Sequence, residues 1–66
     1  MRLIGKIKWY KEKLGVGYVI GIDGELYHFE LCHCLDNNYI YKADDIVSFT
    51  PVSGSIDYAI NIKLMQ

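Results

Sequence analysis

Gly5–Phe29 reads GKIKWYKEKLGVGYVIGIDGELYHF, and this stretch decides the fold. From Arg2 to Tyr10, the polar residues Arg2, Lys6 and Lys8 share one parity, while Leu3, Ile7 and Trp9 share the other. That period of two predicts a strand. Lys11–Leu14 (KEKL) is a polar turn with no room for a helix of ordinary length. Val16–Ile22 reads as a second strand, punctuated by Gly17 and Gly21 and preceded by Gly15. Glycine inside a strand marks a sharp bend or a close approach. Asp23-Gly24 is a two-residue hairpin signal. Glu25–Phe29 then returns, with Leu26 and His28 on one face and Glu25, Tyr27 and Phe29 on the other.

Working outward, Glu30–Lys42 is mainly a long loop, with a short helical turn within Glu30–Leu35 and turn chemistry at Asp36-Asn37-Asn38. Ile46–Val52 alternates as a fourth strand, and Pro51 suits its end or an edge. Ser53-Gly54 turns the chain. Ile56–Leu64 is a fifth strand, with Ile56, Tyr58, Ile60, Ile62 and Leu64 set against Asp57, Asn61 and Lys63. Five short strands without a long helix predict a small antiparallel barrel around one core.

Sixty-six residues make one domain, 1–66, with no room for a separate substrate domain. No apolar run approaches the roughly 18 residues of a membrane span, and MRLIGKIKWYK, lacking a long apolar h-region, is not expected to act as a signal peptide. The expected setting is cytoplasmic, with Cys32 and Cys34 reduced. The net charge of −1 hides an asymmetry. Residues 1–13 carry five basic side chains against Glu12, while residues 14–66 carry Lys42 and Lys63 against seven acids. The first strand is therefore a local cation suited to an anionic partner.

Taken in order and spacing, GKIKWY (5–10), LGVGYV (14–19), ELYHF (25–29), IVSF (46–49) and AINI (59–62) resemble the cold-shock domain along nearly the whole chain. The family's counterparts read close to GKVKWF, KGFGFI and VFVHF, with a closing A-A-N-V. The resemblance implies an all-β, five-stranded antiparallel OB-type barrel that binds single-stranded RNA or DNA. It implies a binding face of Lys6, Lys8, Trp9, Tyr10, Val16, Tyr18, Leu26, His28 and Phe29. The chain departs from the pattern on that face. Val16 and Tyr18 stand where family members have two Phe, Leu26 where they have another, Glu25 where they have Val, and Leu14 where they have Lys.

Single strands are held by rings under the bases and by positive charge along the backbone. Each base–ring stack is worth about 1–3 kcal/mol, so aliphatic side chains at Val16 and Leu26 remove on the order of 2–6 kcal/mol of stacking. The expected activity is RNA chaperoning or modulation of transcription or translation, through salt-dependent binding of weak to moderate strength. Trp9, Tyr18 and Phe29 have a second use open to them, filling a small core, and Lys6, Lys8, Lys11 and Lys13 a second use as a solvated surface. Tyr27 reads as core, and Tyr39, Tyr41 and Tyr58 as packing or rim. An alternative for the whole molecule is an interaction barrel without nucleic-acid binding. Its face of Val16, Ile20, Ile22 and Leu26 would then dock a protein partner or a second copy as a homodimer.

Cys32-His33-Cys34 with nearby His28 lacks the paired spacing of structural zinc sites, so no metal is expected. One of these Cys packs like a small hydrophobe and the other is partly exposed. No phosphate-binding loop or nucleophile signature is present, so neither enzyme activity nor a cofactor is expected.

Overall fold

Strand β1 (Leu3–Lys11) is the longest element and pairs antiparallel on both sides, with β2 (Val16–Gly21) and β4 (Ile46–Val52). Strand β3 (Leu26–Glu30) returns antiparallel along β2, and β5 (Tyr58–Leu64) along β4. The order β1-β2-β3-β5-β4 closes on itself as a barrel. This structure is a computed structural model and describes residues 2–36 and 38–65. A 3₁₀ turn at Leu31–His33 falls within the predicted helical turn. In the loop that follows, Asn37 of the expected Asp36-Asn37-Asn38 turn lies outside the described residues.

The expectation of a wholly antiparallel barrel is corrected at one junction: β3 and β5 run parallel, with His28 beside Tyr58. The reason is arithmetic. A closed ring with an odd number of strands cannot alternate direction all the way round. The parallel seam is short, and Cys34, just after the 3₁₀ turn, extends it through a bridge to Ile62.

Two bulges also correct the expected parities. In β1, Ile7 faces Val19 and Trp9 faces Tyr18, so Lys8 is an extra residue. A bulge reverses the in–out alternation. Trp9 therefore does not share the buried face of Ile7, as strict alternation required; Ile7 is buried and Trp9 exposed. In β5, Ser48 pairs with Lys63 and Thr50 with Ile60, leaving Asn61 and Ile62 opposite Phe49 alone. Asn61 adopts a left-handed conformation, φ 53°. Ala59 and Ile62 become the buried residues, and Ile60 turns away from the core.

The core contains Ile7, Val19, Phe29, Val47, Phe49 and Ile62, all fully buried, with Tyr27, Tyr41, Cys34 and Ala59 beside them. Burying each large side chain contributes about 1.5–3 kcal/mol. Gly17 lies beneath Phe29, where a Cβ would come within 2.5 Å of the Trp9 carbonyl oxygen and 2.8 Å of the Phe29 ring. Only glycine allows β1, β2 and that ring to meet so closely.

The β2–β3 hairpin forms as expected, with a loop longer than two residues. Gly24, at φ 84°, donates its N–H to the Gly21 carbonyl at 2.9 Å. Asp23 Oδ1 accepts the Glu25 N–H at 3.0 Å, and Asp23 Oδ2 accepts the Tyr27 hydroxyl at 2.7 Å. The loop carboxylate is thereby fastened to a ring anchored in the core.

Candidate nucleic-acid interface

The β1 bulge sets Trp9 opposite Tyr18, the β2–β3 register sets Tyr18 opposite His28, and the parallel seam sets His28 beside Tyr58. Ring contacts run from Trp9 through Tyr18 to His28, and backbone pairing sets Tyr58 next in line. Centroids of Trp9 and Tyr18 are 5.1 Å apart, and those of Tyr18 and His28 5.4 Å apart, the latter pair edge to face. At the far end the rings of Tyr58 and His33 lie 6.4 Å apart, 31° from parallel. Trp9 and Tyr58 are each 36% exposed, and Tyr18 and His28 are half-buried. Such a strip presents ring faces and edges to solvent in the way that stacking of successive bases requires.

Positive charge gathers at the Trp9 end. Lys6, Lys8, Lys11 and Lys13 are exposed, and the Lys11 ammonium stands 5.9 Å from the centre of the Trp9 ring. The Tyr58 end carries a carboxylate, Glu30. Val16 is half-buried on β2 between Lys11 and Glu30. Leu26 is exposed on β3, opposite Ile20, which in turn faces Lys6.

Two expected ligand residues leave the interface. Phe29 is 0% exposed, because its parity in β3 is that of Tyr27 and turns its ring into the barrel. Tyr10 follows it inward. The bulge that turns Trp9 out turns Tyr10 in, face to face with Phe29 at 5.8 Å and edge-on to Tyr41 at 6.1 Å. Partial burial holds the Tyr10 hydroxyl above its ordinary pKa.

In exchange the structure brings in two rings that sequence reasoning missed. Tyr58 was expected at packing or rim, on one face with Ile62, and the Asn61 bulge separates them. His33 was read only with Cys32 and Cys34, where neither a metal site nor a nucleophile signature was expected. No periodicity announces either residue, since the β3–β5 seam joins positions 30 apart in the chain.

The two cysteines differ as expected. Cys34 is buried, its Sγ donates to the Glu30 carbonyl at 3.6 Å, and burial pushes its thiol up to about 11. Cys32 is exposed and donates to Glu30 Oε1 at 3.5 Å; desolvation and the neighbouring carboxylate raise its pKa too. Among the described residues, no three His, Cys, Asp or Glu side chains are grouped to hold a metal ion.

Beside the strip lies an aliphatic surface. Ile4, Ile20, Ile22 and Ile46, with Lys6, line a shallow depression of about 340 Å³. Ile22 is 75% exposed.

No protein-family model and no curated protein matches this sequence. A solved structure does: the chain titled drosophila Unr CSD456, a cold-shock domain protein, superimposes with a TM-score of 0.86 at 28% identity. The match covers 100% of this chain and 27% of that one, so the present chain spans a minor part of its length. Together with the order of the sequence motifs and the closed five-stranded barrel, this likeness over the whole chain bears out the resemblance to the cold-shock domain in its fold.

Proposed function

We propose that this domain binds single-stranded nucleic acid, RNA foremost, along the strip Trp9–Tyr18–His28–Tyr58. It acts in the cytoplasm as a non-enzymatic RNA chaperone or modulator of transcription or translation. The observation that carries the reading is the row of outward rings on neighbouring strands β1, β2, β3 and β5, with Lys6, Lys8 and Lys11 exposed near its Trp9 end. Rings supply stacking and the ammonium groups supply phosphate contacts, which are the two requirements of single-strand binding. Val16 and Leu26 offer apolar contact without stacking, so affinity falls below that of a full aromatic platform. Titration of Trp9 fluorescence with short oligopyrimidines tests the reading. Quenching at low salt that fades as salt rises is the expected result. A Trp9 signal unmoved by millimolar strand at low salt would overturn it.

The exposed Ile4, Ile20, Ile22 and Ile46 favour a second reading, in which this face docks a protein partner or a second copy. An apolar contact is nearly insensitive to salt, whereas phosphate binding is not. Sedimentation at high protein concentration separates them: a monomer throughout removes the self-association version.

A further inference from the structure

We propose that the groove at the β3–β5 seam is a guanine-selective subsite read by Glu30. This rests on the single-strand-binding reading above and adds a base preference to it. The groove, about 400 Å³, is lined by His28, Glu30, His33, Ile56, Tyr58 and Ile60. Its size lies within the range of small-ligand sites. The His33 and Tyr58 rings flank it, so an entering planar base meets aromatic walls, with Ile56 and Ile60 completing an apolar lining.

The polar chemistry excludes the nucleic-acid backbone here. Among the described residues, no Lys or Arg lines the groove, and the one carboxylate there is Glu30. A carboxylate repels phosphate and accepts hydrogen bonds without donating any. What it takes is a base edge that donates. Among the described residues, the one hydrogen bond to this carboxylate comes from the weak Cys32 thiol donor on Oε1, at 3.5 Å. A carboxylate has about four acceptor positions, so both oxygens remain available.

The bases differ in what they offer such a fork. Guanine presents N1–H and the N2 amino group side by side, two parallel donors matched to two oxygens. Adenine and cytosine each pair one amino group with a ring-nitrogen acceptor, which meets the second oxygen lone pair to lone pair. Uracil and thymine offer one N–H between two carbonyls. Only guanine forms the charge-assisted bidentate pair without an opposed acceptor. A bidentate pair of this kind discriminates by about 1–3 kcal/mol. In a groove open to water the lower part of that range applies, about a tenfold preference.

The test compares two hexanucleotides by Trp9 fluorescence at one salt concentration: an all-uridine strand and the same strand with a single guanosine. The guanosine strand is expected to bind about tenfold tighter, with amide shifts at Glu30, His33 and Tyr58. Glu30→Gln, with its fold checked by its amide spectrum, should bind the two strands alike, because the amide NH₂ opposes one guanine donor. Equal affinity of the unaltered protein for both strands overturns the guanine subsite and leaves single-strand binding standing. A preference that survives in folded Glu30→Gln overturns the role of Glu30. Failure of both strands to quench Trp9 overturns the single-strand reading and the subsite together. Should Glu30→Gln not fold, the shift map on the unaltered protein decides: guanosine-dependent shifts confined to other residues overturn the site.

Discussion

Asn61 holds a backbone conformation that most residues avoid, at φ 53°, and its carbonyl accepts a hydrogen bond from the Arg2 guanidinium at 2.8 Å. Asn tolerates the left-handed region better than other side chains with a Cβ. Asn61→Ala should therefore lose about 1 kcal/mol, while Asn61→Gly should stay within a few tenths of the parent; urea denaturation midpoints check both. Phe29 and Tyr18 sit on neighbouring strands with opposite outlooks. Phe29→Ala leaves a cavity in the barrel and should cost about 3–5 kcal/mol, comparable with much of the stability of so small a domain. Its thermal transition should fall sharply or vanish in circular dichroism. Tyr18→Ala removes a half-buried outward ring and should weaken oligonucleotide binding by about 1–3 kcal/mol, read by Trp9 fluorescence.

The β2–β3 hairpin carries a pH response built from Asp23 and Tyr27. The Glu25 N–H and then the Tyr27 hydroxyl hold the Asp23 carboxyl below its usual range. The same hydrogen bond to Asp23, with burial second, pushes the Tyr27 hydroxyl up to about 12. A depressed carboxyl stabilises the fold above its unfolded pKa and loses that contribution as pH falls through the lower folded value. A raised phenol stabilises below its unfolded pKa and loses its contribution as pH climbs toward the folded value of about 12. Urea midpoints should therefore hold a plateau near neutrality and decline on both flanks. Tyr27→Phe should lower the plateau and remove this site's share of the alkaline decline. Asp23 keeps its Glu25 bond in that variant, so a reduced acid decline persists.

Across the molecule, charge and ring placement are offset. The lysines stand at the Trp9 end of the strip and the acidic groove at the Tyr58 end. A strand lying along the rings therefore meets its phosphate contacts mainly near β1. With Lys6, Lys8 and Lys11 as three contacts, the slope of log affinity against log salt for a single strand should be about −2. A slope near zero with binding intact would point to apolar contacts instead. The aliphatic surface around Ile4, Ile20, Ile22 and Ile46 contributes nothing to such a slope, so the same titration separates it from the strip.

The strands and the hairpin were legible in the sequence because alternation, turn residues and Gly spacing are local properties of the chain. The burial of Tyr27 was legible too, from its parity against His28. Phe29 shares that parity, and reading it as a ligand set motif resemblance above a signal already present in the alternation. The path of the ring strip was not legible. It depends on one extra residue at Lys8, one left-handed residue at Asn61, and a parallel seam forced by an odd number of strands. Each is a consequence of closing the sheet on itself, and each reverses or joins positions that a period of two keeps apart. Sequence alone therefore determined that this chain makes a small β-barrel with a basic first strand. Tertiary closure decided which rings leave the core, and so placed Tyr58, His33 and Glu30 at the end of the strip.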